Sequence, residues 1–226
     1  FFGCGASTST LSGIITINPT DQLTLTSGSD NQTVCFEDDI VDIVYEFAGS
    51  ANAVAFTSPI GLPPGVFGNY VPRNQVSQID MTTGTTVVTE TYTVFVNSTP
   101  YTIIAPPGLD ETNIGPLLAT QISGDTNVSA VYDAAANTIV ITSSTAGDAF
   151  GIYIPSSTNA VTLQNPLLIT SPGTFIISGR PSGAASGTYN YVLSTPGTTC
   201  AADTAVGTIV VNQNSSLTLT TANDGQ

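Results

Sequence analysis

Four carboxylates stand close together near the start of the chain: Glu37, Asp38, Asp39 and Asp42, within the stretch FEDDIVD of residues 36–42. Carboxylate oxygens are the ligands that Ca²⁺ prefers, and about six oxygens surround one ion. The stretch also comes directly before an apolar alternation, where acidic side chains commonly face solvent. We therefore expect a solvated turn here and keep a calcium site at these four residues as the alternative. No other cofactor is expected.

The chain offers few groups for catalysis. It contains no His, and its two basic residues are Arg73 and Arg180. A Ser–His or Cys–His arrangement is therefore excluded within these residues, and no Gly-rich phosphate loop precedes a helix. Acidic residues could form the carboxylate pair of a glycosidase, but nothing in the sequence places two of them across a cleft. We expect that the protein is not an enzyme.

The charge balance excludes several classes of partner. The formal net charge is −14, although only 8% of the residues are charged. Binding to nucleic acid requires Lys and Arg to neutralise phosphates, and an anionic membrane surface would repel this chain. No apolar run approaches the roughly 20 residues that span a bilayer. We expect no nucleic-acid partner and no membrane insertion.

The chain matches itself near its two ends. Residues 13–32 read GIITINPTDQLTLTSGSDNQ and residues 207–226 read GTIVVNQNSSLTLTTANDGQ, aligned without a gap at an offset of 194. The match keeps Gly, Asn and Gln where strand propensity does not require them. This indicates a segment of a tandem array, with residues 1–20 ending one repeat and 214–226 beginning the next. Two strands of one domain that happen to look alike are the alternative.

The three cysteines can be assigned to positions within the same repeat. Each repeat has one near its start, Cys35, and one near its end, Cys200, whereas Cys4 belongs to the preceding unit. An odd number of cysteines in a secreted chain indicates a partner elsewhere. We predict a disulfide between Cys35 and Cys200, which closes about 165 residues and is worth roughly 5 kcal/mol. Three free thiols, as in a cytosolic protein, are the alternative.

Alternation of apolar and polar residues predicts a mainly β chain. Strands are predicted at QLTLTS, at DIVDIVYEF, with Ile40, Ile43 and Tyr45 as core candidates, and later at FIISG, GTYNYVLS and GTIVVN. These segments fall into a first part, residues 21–85, and a second part, residues 161–213.

The stretch between the two parts, residues 86–160, has its own pattern. It begins with a hairpin turning at Asn97-Ser98 and continues with a helix in DETNIGPLLATQISGD, capped by Asp110 or Asn113. Three more short strands follow. We predict a small ββαβββ module nested in the larger domain, because insertions enter exposed loops whose ends are close together.

The two outer parts resemble the Ig-like and PKD-like β-sandwich repeats of bacterial surface proteins. The resemblance rests on an LPxG turn, a strand ending in ISGxP, and a GTYxY strand before a Cys. The start and end of the unit are similar to the repeats of giant Bacteroidota adhesins of the SprB gliding type, which the type IX system exports. The matching residues are Leu62, Pro63, Gly65, Ile177, Ser178, Gly179, Pro181, Gly187, Thr188, Tyr189 and Tyr191.

This resemblance implies an Ig-like sandwich repeat in a secreted, extracellular filament at the cell surface. Its expected function is adhesion, with gliding motility as a finer possibility, and its partners are neighbouring repeats together with a surface or glycan. The sequence DTA at residues 203–205 resembles a Bacteroidota O-glycosylation motif, which makes Thr204 a candidate.

Two other functions stay open. One is a carbohydrate-binding accessory module of a polysaccharide-degrading protein, which an exposed row of Tyr92, Tyr101, Tyr132 and Tyr153 would favour. The other is a subunit of a phage or pilus-like fibre.

Overall fold

The computed structural model describes residues 20–49, 51, 53–57, 61–183, 186–196 and 201–215. Within them the chain forms strands and one helix in the following order. The elements are β1 (Gln22–Ser27), β2 (Asn31–Cys35), β3 (Ile43–Ala48), β4 (Ala55–Phe56), β5 (Val66–Pro72), β6 (Val76–Asp80), β7 (Glu90–Val96), β8 (Thr99–Ala105), α1 (Glu111–Ile122), β9 (Val128–Asp133), β10 (Thr138–Ser143), β11 (Ile152–Tyr153), β12 (Leu167–Thr170), β13 (Gly173–Gly179), β14 (Gly187–Ser194) and β15 (Thr204–Asn212).

The outer strands form a sandwich with immunoglobulin topology. One sheet has the order β1-β3-β13-β5 and the other β2-β15-β14-β4. These are the A-B-E-D and G-F-C orders of the immunoglobulin fold, with β2 added in parallel to β15 at the edge of the second sheet. The prediction of a mainly β, Ig-like sandwich with a nested module is confirmed.

Strand β3 shows why the sequence folds this way. Its residues IVYEFA alternate between buried and half-buried positions, so Ile43, Tyr45 and Phe47 enter the space between the sheets. All three predicted core residues are buried: Ile40, Ile43 and Tyr45 are 5%, 0% and 2% exposed. The remaining side chains of this core are Ala51, Val54, Val66, Phe175, Ile177, Tyr191, Leu193, Ile209 and Val211.

The centre of this core is a pair of tyrosines from opposite sheets. The hydroxyls of Tyr45 on β3 and Tyr191 on β14 lie 3.2 Å apart and are hydrogen-bonded. These are the B and F strands, which a disulfide joins in antibody domains. Burial raises the pKa of both hydroxyls. The ring of Phe56 meets Tyr191 edge to face at 6.1 Å.

Strand β15 passes close to Tyr191 at Gly207. A Cβ atom built on Gly207 would lie 2.2 Å from both Cζ and Oη of Tyr191, and 2.6 Å from the carbonyl oxygen of Asp30. Only glycine leaves room for the ring at this position. The recurrence of glycine at position 13 in the other copy of the repeated sequence therefore has a packing reason.

The nested module is inserted between β5 and β13, the D and E strands. The backbone N–H of Arg73 donates to the carbonyl of Pro172 at 2.7 Å, so both ends of the insertion leave the sandwich side by side. The module has sheets of order β12-β6-β10-β9 and β11-β7-β8. The predicted ββαβββ series corresponds to β7 through β11. Strands β6 and β12, which lie outside the predicted residues 86–160, pair with each other and extend the module.

A second hydrophobic core belongs to the module alone. It contains Ile79, Val94, Ile114, Leu118 and Ile139, all 0% exposed, and shares no residue with the sandwich core.

The two β-hairpin residues predicted at Asn97-Ser98 form the turn between β7 and β8, both with positive φ. Such φ values are those of a two-residue hairpin turn.

Helix α1 begins as its sequence indicates and contains a proline. Asp110 is the N-cap, and Asn113 completes a capping box with it, so both predicted caps take part. Pro116 lies in the second turn rather than in the first, where it would be most easily tolerated. Ile114, Leu118 and Ile122 face the core.

A membrane-spanning helix is not found among the described residues, where every helix is too short or too polar for that role.

Substitution of Gly207 tests the close contact with Tyr191. We expect Gly207→Ala to lower the free energy of unfolding by about 1–3 kcal/mol, the usual effect of overpacking. Gly187→Ala is the matched control, because its Cβ would meet nothing within 4 Å, and it should change stability by no more than about 0.5 kcal/mol. Urea unfolding followed by circular dichroism gives both values. Equal effects of the two substitutions would contradict the packing argument.

The tyrosine pair is tested by a double-mutant cycle. Tyr45→Phe or Tyr191→Phe leaves the other buried hydroxyl without its partner, at a cost of about 1–3 kcal/mol each. The double variant removes both hydroxyls and should cost less than the two single changes added together. Tyr153→Phe, at a side chain that is 61% exposed, serves as the control. Additive costs in urea unfolding would mean that the two hydroxyls are not coupled.

Candidate interface at the two ends of the sandwich

The chain enters the sandwich at one end, called here the entry end, and leaves it at the opposite end, called the exit end. At the entry end lie the start of β1 at Gln22, both flanks of the insertion at Pro72 and Gly173, and the start of β15 at Thr204. The backbone N–H of Leu23 donates to the Asp203 carboxylate at 2.8 Å, which fixes β15 beside β1 there. At the exit end, Cys35 on β2 stands opposite Asn212 on β15.

Residues that recur in the repeated sequence lie at the edge of the second sheet, where β2 pairs with β15. The carbonyl of Asp30 accepts the N–H of Thr208 at 2.7 Å, which joins β2 to β15. The side-chain amide of Gln32 bonds to both backbone groups of Val41, at 2.7 and 2.9 Å. With Gly207, the contacts of Gln32 explain why Gln and Gly recur at positions where strand formation alone does not require them.

The acidic stretch 36–42 is a loop fastened to β13. Asp39 makes a two-pronged ion pair with Arg180, with Nε and Nη2 each 3.0 Å from a carboxylate oxygen. The Arg180 guanidinium, by hydrogen bond and by charge, lowers the pKa of Asp39. Glu37 adopts φ 66°, and its N–H donates to the carbonyl of Pro181 at 3.0 Å. The loop thus follows the end of the ISGxP strand.

The four acidic side chains predicted as calcium candidates are not gathered at one point. Glu37, Asp38, Asp39 and Asp42 are all exposed, and Asp39 uses both oxygens for Arg180. Over the part of the chain that the structure describes, no three Asp, Glu or Cys side chains are arranged to hold a metal ion.

Cys35 is exposed and forms no disulfide within the described residues. Its predicted partner, Cys200, and the third cysteine, Cys4, lie outside them. Thr204, the candidate for glycosylation, is exposed at the entry end. Asp203 beside it accepts hydrogen bonds from the backbone N–H groups of Leu23 and Thr204, so the aspartate of the motif also serves the fold.

A shallow polar groove of about 290 Å³ lies at the exit end. It is lined by Phe36, Ser186, Asn212, Gln213 and Asn214. The side-chain amide of Asn214 donates to the carbonyl of Phe36 at 3.0 Å, which holds the departing chain against the end of β2. Neither the predicted turn nor the repeat pointed to this groove, because it forms only when β2 and β15 are paired.

The four tyrosines that would have favoured carbohydrate binding do not form an exposed row. Tyr92 is buried and donates to Glu90, while Tyr101 and Tyr132 are half-buried and donate to Asp125 and Asn137. Burial raises the pKa of Tyr92 and of Tyr101 to about 12. Tyr153 alone among the four is exposed, with its ring centroid 5.8 Å from that of Phe95 at an angle of 45°.

Comparisons with known proteins give weak likenesses. No model of a protein family and no curated protein matches the sequence. Among solved structures, the C-terminal domain of the AgI/II polypeptide BspA of Streptococcus agalactiae overlaps 85% of this chain, with 11% identity and a TM-score of 0.22. The C-terminal domain of the antigen I/II-family protein AspA of Streptococcus pyogenes overlaps 86%, with 8% identity and a TM-score of 0.17.

The chain spans about half the length of these structures, 50% and 46% respectively. TM-scores this low do not establish a shared fold, and the assignment of the sandwich rests on its own strand order.

The Asp39–Arg180 pair predicts a pH effect. In Arg180→Gln we expect the pKa of Asp39 to rise toward its ordinary value of 3.8, whereas Arg73→Gln should leave it unchanged. Because the pair depresses the pKa in the folded state, its stabilisation is present above the unfolded pKa and is lost as pH falls through the folded value. The stability difference between the wild type and Arg180→Gln should therefore vanish in strong acid. NMR titration of the Asp39 carboxyl measures the shift, and an unaltered pKa would contradict the assignment.

Proposed function

We propose that this chain is a structural and adhesive unit of a long secreted filament at the cell surface. One observation carries the proposal. A full set of immunoglobulin-type strands lies between Gln22 and Asn212, and the chain enters at one end of the sandwich and leaves at the other. Units with this geometry join end to end in a line, as solenoid and bead-like arrays do.

The repeated sequence supports the same proposal. By the offset of 194, Gly13 corresponds to Gly207, and Asp224 and Gln226 correspond to Asp30 and Gln32. In the described unit Gly207 accommodates Tyr191, and Gln32 fastens the loop that follows β2. A neighbouring unit with the same residues would build the same edge, so neighbouring repeats are the expected partners.

The finer part of the proposal rests on the resemblance to SprB-type adhesins. It places the filament outside a cell of the Bacteroidota, exported by the type IX system and used in attachment or gliding. With only two basic residues, the chain offers few cleavage sites to trypsin-like proteases, which suits an extracellular filament. No enzymatic activity or cofactor is part of the proposal.

We assign adhesive contact to the nested module. It stands at the entry end and adds a second core that the sandwich does not need for its own closure. Several apolar side chains on its strands face solvent, including Ile104, Val131 and Leu167, which are 69%, 66% and 58% exposed. Val131 and Leu167 share one face of the β12-β6-β10-β9 sheet, because Val140 and Gln78 join them in register. Exposed apolar groups that share a face are typical of contact sites. A surface or glycan is the expected target.

The size and location of the native polypeptide test this proposal. We expect a single chain of many hundred kilodaltons that protease treatment of intact cells removes, together with loss of attachment to a solid surface when its gene is deleted. Restoring the gene should restore attachment. A mature protein near 23.1 kDa, or a protein that proteases reach only after lysis, would overturn the filament. Normal attachment by the deletion strain would overturn the adhesive role alone.

A further inference from the structure

The sheet β11-β7-β8 turns one face to the module core and the other to solvent. Tyr92, Val94 and Val96 of β7 are buried in the core. Successive side chains of a strand point to opposite faces, so the alternate residues of β7 and the residues paired with them lie on the other side. This outer face carries Phe95, Tyr153, Pro100, Thr93, Thr102 and Ile104.

A row of three rings crosses the outer face. The register sets Phe95 of β7 opposite Tyr153 of β11 on one side and opposite Pro100 of β8 on the other. The ring centroids of Phe95 and Tyr153 lie 5.8 Å apart, and Tyr153 is 61% exposed. Because neighbouring strands are about 4.8 Å apart, the row forms an apolar strip about 10 Å wide across the sheet.

Two hydroxyls lie beside this row on the same face. Thr93 stands opposite Thr102, and their Oγ1 atoms are hydrogen-bonded at 3.0 Å. That bond uses one of the two O–H donors of the pair, so the second O–H can donate to a ligand. Ile104, which is 69% exposed, extends the apolar surface beyond the hydroxyls. The outer face thus combines apolar area with a small number of uncharged polar groups.

Hydrogen bonds at both ends of the sheet fix the row in place. The N–H of Asn97 donates to the carbonyl of Gly151 at 2.9 Å, and the N–H of Gly151 donates to Oδ1 of Asn97 at 2.9 Å. These bonds fasten the short strand β11 to the hairpin. At the other end, the side-chain amide of Asn159 donates to the carbonyl of Thr91 at 2.7 Å. A surface held in this way does not have to be ordered on binding.

We infer that the outer face binds an uncharged polysaccharide of a solid surface, with sugar rings stacked on Tyr153 and Phe95. This inference rests on the proposed adhesive role of the nested module and names the chemical class of its target. A sugar ring has an apolar face of C–H groups and a rim of hydroxyls. The row of rings matches the first, and the hydroxyls of Thr93 and Thr102 match the second, as in ligand sites where a few polar groups fix orientation on an apolar wall.

Charge favours an uncharged ligand. The six side chains of the outer face carry no charge, so the face offers no cation to an anionic polymer and no carboxylate to a cationic one. The chain as a whole has a formal net charge of −14, and a field of that sign repels polyanions. A neutral polymer meets no such repulsion and gives up no ionic hydration on this face.

The outer face is too small for a stable protein partner. It measures about 10 Å across the strands and, from Thr91 to Phe95, about 13 Å along them at about 3.3 Å per residue. This area is far below the roughly 800 Å² that each partner buries in a specific protein–protein interface. A polysaccharide needs only a few rings in contact at each site, and many repeats of one filament can bind the same surface together.

The open face of the module's other sheet has a different chemistry. There Asp80 and Asp133 stand opposite Thr138 in register, so that face carries carboxylates beside its apolar row. Its four strands lie within the described residues and contribute no outward aromatic ring, because Tyr132 packs against the module core. A stacking surface is therefore found on the β11-β7-β8 sheet and not on this one.

Retention on polysaccharide films tests the inference. Beads carrying many copies of the full 226-residue chain are washed over films of cellulose, chitin or β-1,3-glucan, and over films of anionic polygalacturonate and of casein. We expect retention on at least one uncharged film and little on polygalacturonate. Tyr153→Ala should lower that retention about tenfold, because a truncated aromatic anchor removes much of a binding energy.

Two further variants separate stacking from general stickiness. Tyr153→Phe keeps the ring and should bind within about twofold of the wild type, since the ring supplies the apolar contact area. Phe67→Ala is the matched control, because Phe67 is an aromatic residue of the sandwich that is 59% exposed, and it should leave retention unchanged. Circular dichroism confirms that each variant is folded.

Other results overturn the inference in distinct ways. Retention of the wild type on none of the uncharged films, or equal retention of Tyr153→Ala, means that this face does not bind such a polymer. Retention confined to casein assigns the face to protein partners. An equal loss in Phe67→Ala contradicts a site at Tyr153. The size and surface location of the native polypeptide are measured on cells, so the proposed filament stands or fails independently of these films.

Discussion

The side chain of Tyr191 is the point at which the two sheets constrain one another. Its hydroxyl bonds to Tyr45 on the facing sheet, and its ring occupies the space that Gly207 leaves on β15. Buried aromatic rings of this kind contribute large apolar areas to a core. Where antibody domains join the B and F strands by a disulfide, this sandwich has two hydroxyls among apolar side chains. Its centre therefore needs no cysteine.

The sandwich accommodates a module with a core of its own because the insertion does not separate its strands. Arg73 and Pro172 are hydrogen-bonded through their backbones at the base of the module, and the register of β5 with β13 continues up to that point. Since the two cores share no residue, each can be filled by its own sequence. Variation in the module then changes the exposed surface without repacking the sandwich.

The sequence predicted those strands, the helix start and the turn that local residue patterns determine. Alternation located β1, and β3 with its buried face. Asp110 and Asn113 marked the start of α1, and Asn97-Ser98 marked a two-residue turn. Pairing between distant strands is not local. The parallel register of β2 with β15 and the pairing of β6 with β12 follow from closure of whole sheets.

The parallel pairing of β2 and β15 also determines how the unit resists force. A pull through Gln22 and Asn212 draws the two strands in opposite directions along their common axis. All the hydrogen bonds from Asn31 to Cys35 are then loaded in shear and must fail together, whereas strands peeled from one end fail one bond at a time. The module lies outside this load path because both of its ends join the sandwich at the hydrogen-bonded pair of Arg73 and Pro172. Tension along the chain therefore acts on the sandwich and leaves the module's surface undistorted.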